Sequence, residues 1–229
     1  MYQRTHETDA SAQLRLGAGN SVTGLNAHGV VVVCRAKQEI FAAGAMALYC
    51  YKVLDGGIRV LKVCRDGRRQ ILEFLLPGDL LAFGAGDIHA TTAEAMTRTT
   101  LMRFPRRRME AMLETDSTLG LEVRKTLSSQ LLLAQCHILL LGRKSAEERV
   151  ASFLLLYAER QIAAAASSDR PMLRQDIADY LGLSGETVSR VLNQMKRQGL
   201  VELPAAANIR ILDRSSLETL EGDDWERPV

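Results

Sequence analysis

Three polar residues near the C-terminus have the side-chain types and the spacing that reading DNA bases requires. Glu186, Ser189 and Arg190 lie three and four positions apart, so a helix would project them side by side from one face. An arginine can donate two hydrogen bonds to guanine, and a glutamate can accept one from the amino group of cytosine or adenine. A serine can contact thymine or another base edge. The three residues are therefore candidate base contacts.

The segment that carries them reads as two short helices joined by a tight turn. The first helix, 175–181, ends at Gly182, which can adopt the left-handed conformation that such a turn needs. Ser184 can cap the second helix. The apolar positions of that helix predict a buried face of Val188, Val191, Leu192 and Met195. The pattern predicts a helix-turn-helix, whose second helix enters the major groove; an ordinary helical hairpin is the alternative.

Further polar residues around this unit are candidate contacts to the DNA backbone. They lie at the helix ends and in the hairpin that follows: Arg174, Ser184, Thr187, Lys196, Arg197, Asn208 and Arg210. Contacts to phosphates supply affinity and salt dependence but little sequence information. The alternative for such residues is solvated surface.

The composition is ordinary for a globular protein, since 47% of the 229 residues are hydrophobic and 24% are charged. The net charge of +2 is only mildly basic, so DNA would have to be bound by locally placed charge. No apolar run is long enough to span a membrane, and the N-terminus lacks the apolar core of a signal peptide. We expect a cytoplasmic protein that does not bind membranes.

The cysteines and histidines show no metal-ligand spacing. Cys34, Cys50, Cys64 and Cys136 include no C-x-x-C pair, and the histidines are isolated from one another in the sequence. The cysteines are expected to be small buried hydrophobes. The sequence therefore predicts neither a metal site nor a cofactor.

The N-terminal half has the pattern of a small β domain. Short runs rich in Val, Ile, Leu, Tyr and Thr predict strands at 31–35, 46–54, 57–63, 68–76 and 99–104. Hairpin turns are expected at Asp55–Gly57 and Asp66–Gly67. Such regular spacing predicts a sandwich or a barrel-like roll.

The pattern becomes helical after Pro105, with one helix at 106–114 and a long one at 117–141. The long helix has a coiled-coil seam, and it could pair with its copy over about 35 Å. The seam consists of Leu127, Leu131, Ala134, Ile138 and Leu141. A second apolar face, which could cover the β domain, consists of Leu132, Leu133, Cys136, Leu139 and Leu140. A homodimer is therefore expected.

The remaining segments complete the expected order. Gly142 is predicted to stop the long helix, and Ser145 with Glu148 forms a capping box that starts a helix at 146–161. A strand is expected at 171–174, a wing hairpin at 199–203 and 208–212, and a last helix at 215–220. The expected domains are an N-terminal arm (1–25), a β-roll (26–116), a dimerisation helix (117–142), a winged helix-turn-helix (143–221) and an acidic tail (222–229).

Several of these blocks resemble the Crp/Fnr transcription regulators, and among them the FixK type. The match includes DGRRQI at 66–71, LPGDLLAF at 76–83, His89, AEA at 93–95, AEER at 146–149, and RQDIADYLGL at 174–183 followed by ETVSR at 186–190. The resemblance implies an α+β fold: an N-terminal double-stranded β-helix (a cupin-like β-roll), a long dimerisation helix and a C-terminal winged helix-turn-helix. It also implies a non-enzymatic homodimer that binds two-fold symmetric double-stranded DNA and contacts RNA polymerase.

The resemblance also implies a subtype. Ala82-Phe83 replaces the Gly-Glu pair that binds ribose in the cyclic-AMP receptor branch, the phosphate arginine is absent, and residues 1–33 lack the cysteines that hold an Fe–S cluster in the fumarate and nitrate reduction regulator. Ala134 stands where that regulator has an aspartate, so we expect the dimer to form without a cofactor.

The Glu, Ser and Arg triplet implies TTGA-type palindromic operators, with Gly185 a fourth, weak base contact. Activation of low-oxygen, respiratory or nitrogen-fixation genes is expected by analogy. A sensor of a small molecule or haem in the β-roll remains an alternative, and a cupin-like enzyme is a remote one.

Overall fold

The computed structural model describes residues 29–83, 86–164, 172–205 and 208–222. The predicted N-terminal arm and most of the acidic tail lie outside these ranges, as do Pro171, most of the predicted connector at 163–169 and the tip of the wing hairpin.

The N-terminal part is a roll of two antiparallel four-stranded sheets. In chain order the strands are β1 Val30–Cys34, β2 Glu39–Phe41, β3 Tyr49–Asp55, β4 Ile58–Val63, β5 Arg69–Leu75, β6 Leu80–Leu81, β7 Thr92–Ala95 and β8 Thr99–Pro105. One sheet has the order β1-β8-β3-β6 and the other β2-β7-β4-β5. Alternate residues of both sheets meet inside, where Val53, Ile58 and Leu101 are buried. The predicted β-roll is confirmed.

Three strands were not predicted, namely β2, β6 and β7. They are two to four residues long, and β7 reads TAEA, which has little of the β-branched content that marks a strand. Ala93 and Ala95 are nevertheless fully buried, because they face the interior of the roll. Tertiary pairing with β2 and β4 outweighs their low strand propensity.

Two helices follow the roll, as predicted: α1 Arg106–Thr115 and α2 Ser117–Arg143. The side chain of Asp116 caps α2 by accepting hydrogen bonds from the backbone N–H groups of Thr118 and Leu119. The prediction that Gly142 stops α2 is wrong, because the helix continues through Gly142 to Arg143. Backbone carbonyls at this end accept hydrogen bonds from the Arg149 guanidinium, so no left-handed glycine is needed.

The second apolar face of α2 is only partly as predicted. Cys136 and Leu140 are buried and Leu133 is partly buried, but Leu132 and Leu139 are 45% and 57% exposed. At about 100° per residue, the buried arc of α2 runs from Cys136 through Leu140 to His137, and Leu132 and Leu139 lie about 40° and 60° beyond its Cys136 edge, where the rest of the chain does not cover them.

The C-terminal part contains the predicted helix-turn-helix and hairpin. Its elements are α3 Ala146–Ala163, α4 Arg174–Leu181, α5 Gly185–Arg197, β9 Val201–Ala205, β10 Asn208–Ile211 and α6 Arg214–Glu221. The capping box of Ser145 and Glu148 is present at the start of α3. The strand predicted at 171–174 is absent among the described residues: Leu173 is the N-cap of α4, and Arg174 is its first residue.

The helix-turn-helix packs directly against the roll. Leu61, Ile71 and Phe74 of β4 and β5 share one apolar core with Ile177 and Leu181 of α4. Strand β4 is buried on both faces because Ile58 and Val60 point into the roll while Arg59 and Leu61 point toward α4. This packing joins the helix-turn-helix to the roll.

Candidate nucleic-acid interface

The turn between α4 and α5 has the geometry predicted from its residues. Gly182 adopts φ 63° and ψ 34°, the left-handed region that glycine tolerates best. Ser184 Oγ then accepts a hydrogen bond from the Thr187 backbone N–H at 3.0 Å and caps α5. The turn therefore directs the first residues of α5 away from the core.

Helix α5 is strongly two-faced. Val188, Val191, Leu192 and Met195 are all buried, as predicted. Glu186 and Arg190 are exposed, and Ser189 is half-buried between them. The three candidate base contacts therefore share the outer face of the first turns of α5, the part of a reading helix that meets base edges.

Gly185 lies directly beneath the side chain of Gln175. A Cβ added at this position would lie 2.8 Å from Gln175 Oε1, so the Gln175 side chain of α4 occupies the space above it. A larger side chain at this position would displace Gln175. Gly185 thus provides backbone but no side chain to the outer end of the reading surface.

The candidate backbone contacts fall into three groups. The first group lies at the starts of the two helices, with Arg174 at the start of α4 and Ser184 and Thr187 at the start of α5. The hydroxyl oxygens of Ser184 and Thr187 are 2.9 Å apart and share a hydrogen bond. Lys196 and Arg197 are exposed in the last turn of α5, where cations also favour the helix dipole. Asn208 and Arg210 lie on β10, and Arg210 Nη1 donates to Glu202 Oε2 at 3.0 Å. Arg210 is therefore already paired across the wing.

The predicted seam of α2 is largely exposed in the single chain. Leu131 and Ile138 are 60% and 68% exposed, Leu127 and Ala134 are exposed, and Leu141 is partly buried against the C-terminal core. A shallow apolar groove extends the seam toward α1 and includes Leu113, Gly120 and Val123. The apolar surface of the seam is therefore continuous over most of α2.

Several residues that position the interface were not predicted from the sequence. Arg149 donates to the carbonyls of Leu141 and Leu181, so it joins the end of α2 to the end of α4. His137 of α2 stacks on Tyr180 at 3.8 Å between ring centroids, and its Nε2 lies 2.8 Å from Tyr180 O. Burial lowers the pKa of His137, because desolvation disfavours the charged ring.

A third group of missed residues is charged and buried between the roll and α4. Arg59 of β4 and Asp176 of α4 are almost fully buried. An arginine in the middle of the apolar run GIRVLKV was the available signal, because buried charges need partners elsewhere in the fold.

Comparisons with known proteins agree with this geometry. Residues 31–116 match the family model for a cyclic nucleotide-binding domain, and residues 148–220 match the model for a Crp-like helix-turn-helix domain. The nitrogen fixation regulation protein FixK of Rhizobium meliloti is 40% identical over 191 residues, covering 83% of this chain and 87% of the relative. The chain belongs to the Crp/Fnr family.

Other relatives of this Crp/Fnr regulator include FixK of Azorhizobium caulinodans, which is 40% identical over 85% of the chain and 80% of the relative. The solved structure of FixK2 from Bradyrhizobium japonicum is similar at a TM-score of 0.76 and 35% identity, covering 86% of this chain and 99% of that one. The chain is a DNA-binding transcription regulator of this family.

The roll contains a cavity of about 650 Å³ beside α2. It is lined by residues of the roll together with Leu127, Gln130 and Leu131 of α2. His89 stacks on Phe41 in its wall at 3.6 Å, and burial, together with Arg106, lowers the pKa of His89. Among the described residues, no group of three or more His, Cys, Asp and Glu side chains could hold a metal ion.

This cavity does not fit a cyclic nucleotide well. Ala82 and Phe83 line the part where the family's ribose contact would stand, and Phe83 packs against an apolar cluster. The guanidinium in the wall, Arg106, donates to Ala82 O at 2.9 Å. Glu73 adds a carboxyl group to the same wall, where a bound phosphate would need a cation.

Glu73 is expected to make stability depend on pH. Burial raises its pKa from 4.5 to about 7, although Gln130 donates to Glu73 Oε1 at 3.0 Å and Arg160 also favours the charged form; Asp79 adds repulsion. Between pH 4.5 and about 7, the Glu73 side chain holds a proton in the folded protein that it has lost in the unfolded chain. The contribution of Glu73 to the free energy of unfolding therefore falls as pH rises from 4.5 to about 7.

We predict that Glu73→Gln is less stable relative to wild type at pH 5 than at pH 8. Urea unfolding across this range measures the difference, and the exposed Glu114→Gln is the control. Parallel stability curves for wild type and Glu73→Gln would contradict the raised pKa.

No helix among the described residues is long and apolar enough to cross a membrane.

Proposed function

We propose that this regulator is a homodimer that binds palindromic operators with TTGA-type arms and needs neither a cyclic nucleotide nor an Fe–S cluster. The observation that carries the proposal is the polar outer face of α5, where Glu186, Ser189 and Arg190 stand on a helix whose opposite face is buried. A capped N-terminus holds this face clear of the core.

Each residue of this face has a distinct role. Arg190 donates two hydrogen bonds to O6 and N7 of guanine, Glu186 accepts from an exocyclic amine, and Ser189 contacts a neighbouring base. Gly185 adds no side chain, so discrimination at the outermost base pair is weak.

Backbone phosphates are bound by residues on both sides of α5. The DNA phosphates near the start of α5 are contacted by Ser184, Thr187 and Arg174. The DNA phosphates near the end of α5 are contacted by Lys196 and Arg197. Asn208 and Arg210 bring the wing to the DNA, and Arg210 exchanges part of its pairing with Glu202 for a phosphate.

Dimerisation uses the seam of Leu127, Leu131, Ala134, Ile138 and Leu141. Leaving Leu131 and Ile138 in water is unfavourable, at about 25 cal/mol per Å² of apolar surface, and a second α2 with the same spacing covers them. Ala134 brings no charge to the seam, so association needs no cofactor. We also infer the domain division into a roll (26–116), a dimerisation helix (117–142) and a winged helix-turn-helix (143–221).

The names of the relatives support a role in gene activation. The relatives include FixK nitrogen fixation regulators and the transcriptional activatory protein AadR of Rhodopseudomonas palustris, which is 35% identical. We infer that this regulator acts in the cytoplasm, contacts RNA polymerase and activates nitrogen-fixation, respiratory or other low-oxygen genes. We infer no catalytic activity.

Selection of bound sequences from a random DNA pool tests the proposal, with purified protein and no added effector. The expected result is a palindrome with TTGA arms, bound by two chains. Enrichment of an unrelated palindrome would reject the arm assignment, and absence of any enriched sequence would reject effector independence.

The second candidate function is an effector sensor, which the cavity of about 650 Å³ in the roll favours. The candidate ligand is a small molecule or haem enclosed between the roll and α2. A rise in melting temperature with cyclic nucleotides, or Soret absorbance of the purified protein, would support this function against the first.

A further inference from the structure

Five charged side chains form a network between the roll and the helix-turn-helix. They are Arg59, Arg69 and Glu94 of the roll and Asp176 and Asp179 of α4, and we call them the interdomain ion network. Arg59 and Asp176 are 6% and 1% exposed, so the centre of the network is excluded from water.

Asp176 is held from two adjacent strands at once. Arg59 Nη1 donates to its Oδ2 at 2.8 Å, and Arg69 Nη2 donates to its Oδ1 at 2.6 Å. Both carboxylate oxygens thus accept charge-assisted hydrogen bonds from guanidinium groups, which are about twice as strong as neutral ones. Movement of α4 across the sheet would break both contacts together.

Each arginine is itself fixed. Arg59 stands directly opposite Glu94 in the pairing of β4 with β7, and its Nε donates to Glu94 Oε2 at 2.9 Å. Arg69 Nε donates to Asp179 Oδ2 at 2.7 Å while its Nη2 holds Asp176, so one guanidinium spans one turn of α4. The planar arginine fork accepts few other geometries.

The contacts continue from α4 to the reading helix. Asp179 Oδ1 accepts a hydrogen bond from Gln175 Nε2 at 2.7 Å, and the Gln175 side chain packs over Gly185, the first residue of α5. Gln70 Nε2 of β5 also donates to Tyr180 O at 3.2 Å. A continuous chain of side chains therefore connects strand β5 to the start of α5.

Apolar packing at this interface does not by itself define an angle. The shared core of Leu61, Ile71, Phe74 and Ile177 is non-directional, because apolar burial depends on area rather than orientation. Buried ion pairs are often neutral for stability, whereas an unpaired buried charge is costly. The network therefore penalises any orientation of α4 that breaks its pairs.

We propose that Arg59 and Arg69 are positioning residues for DNA reading, which fix the orientation of the helix-turn-helix on the roll and so the separation of the two reading helices in the dimer. This inference rests on the proposed function, because a two-fold operator presents half-sites about one helical turn of DNA apart. A fixed orientation gives a strong preference for one half-site spacing, and a loosened one gives a weaker preference.

The test measures affinity for the operator selected by the wild-type protein and for operators with one or two base pairs added or removed between the arms. Arg69→Gln is the main variant, since Arg69 is partly exposed and its loss leaves Arg59 on Asp176. Arg68→Gln is the matched control, because Arg68 is the exposed neighbour that pairs with Asp66 in the β4–β5 turn.

Arg69→Gln is expected to reduce the spacing preference, the ratio of affinities for correct and altered spacing, by about tenfold. Asp179→Asn should reduce the spacing preference to a similar extent. Arg69→Lys should retain part of the spacing preference, and Arg68→Gln should retain all of it. An equal loss of affinity at every spacing, as a purely structural role would give, would overturn the inference, as would an unchanged preference.

A second measurement does not depend on DNA. Spin labels are placed at Cys64, the exposed cysteine among Cys34, Cys50, Cys64 and Cys136, and at Asn193→Cys on the outer side of α5. When labelled protein is mixed with an excess of unlabelled protein, so that each dimer carries at most one labelled chain, the labels report the distance between the roll and the reading helix within one chain. A distance distribution that broadens in Arg69→Gln and stays narrow in Arg68→Gln supports the inference, and equal widths reject it.

Failure of operator selection with the wild-type protein would instead reject the proposed function.

Discussion

Arg190→Ala is expected to lower the affinity for the selected operator by about 5- to 150-fold for each half-site, the equivalent of about 1–3 kcal/mol for each bidentate contact to guanine. Its effect should be specific to sequence. Arg190 is exposed on the outer face of α5, so its removal leaves the buried face and the Ser184 cap intact. Preference for guanine at one position of each arm should therefore relax while the fold remains stable.

Fluorescence titrations with the operator and with its three variants at the guanine position measure this effect. Lys196→Ala is the matched control, because loss of a phosphate contact should weaken binding to all these sequences equally and reduce the salt slope by about one for each half-site. Unchanged base preference in Arg190→Ala would remove this residue from the base contacts.

The second large effect is expected from Leu131→Glu in the seam of α2. In the dimer this change places two carboxylates opposite each other in an apolar contact, so the protein should become a monomer at micromolar concentration. Operator affinity should then fall by on the order of a hundredfold or more, because the two half-sites are no longer bound by one molecule.

Analytical ultracentrifugation measures the oligomeric state, and circular dichroism verifies that the helices are retained. Ser129→Glu is the control, since it adds the same charge at another exposed position of the same helix, outside the seam. A dimer that persists in Leu131→Glu would show that another surface holds the two chains together.

The elements of the helix-turn-helix could be predicted from the sequence because their determinants are local. A left-handed glycine at 182, a capping serine at 184 and apolar residues at helical spacing act within a few positions of one another. The same holds for the capping box at Ser145 and for the strands with strong β-branched content.

Predictions failed where a neighbour distant in sequence decided the outcome. Helix α2 passes through Gly142 because the Arg149 guanidinium binds the carbonyls at its end. Strand β7 forms from an alanine-rich segment because β2 and β4 flank it. Leu132 and Leu139 are exposed because the roll covers a narrower part of α2 than its apolar residues suggested.

The sequence by itself determined which residues face outward from the reading helix, since periodicity and capping are properties of short segments. Only the tertiary structure decided how that helix is held, because Arg59 meets Asp176 across 117 positions and Arg69 meets Asp179 across 110. Charges so far apart in sequence find each other only after the β2-β7-β4-β5 sheet and helix α4 have packed together, and no local pattern encodes that packing.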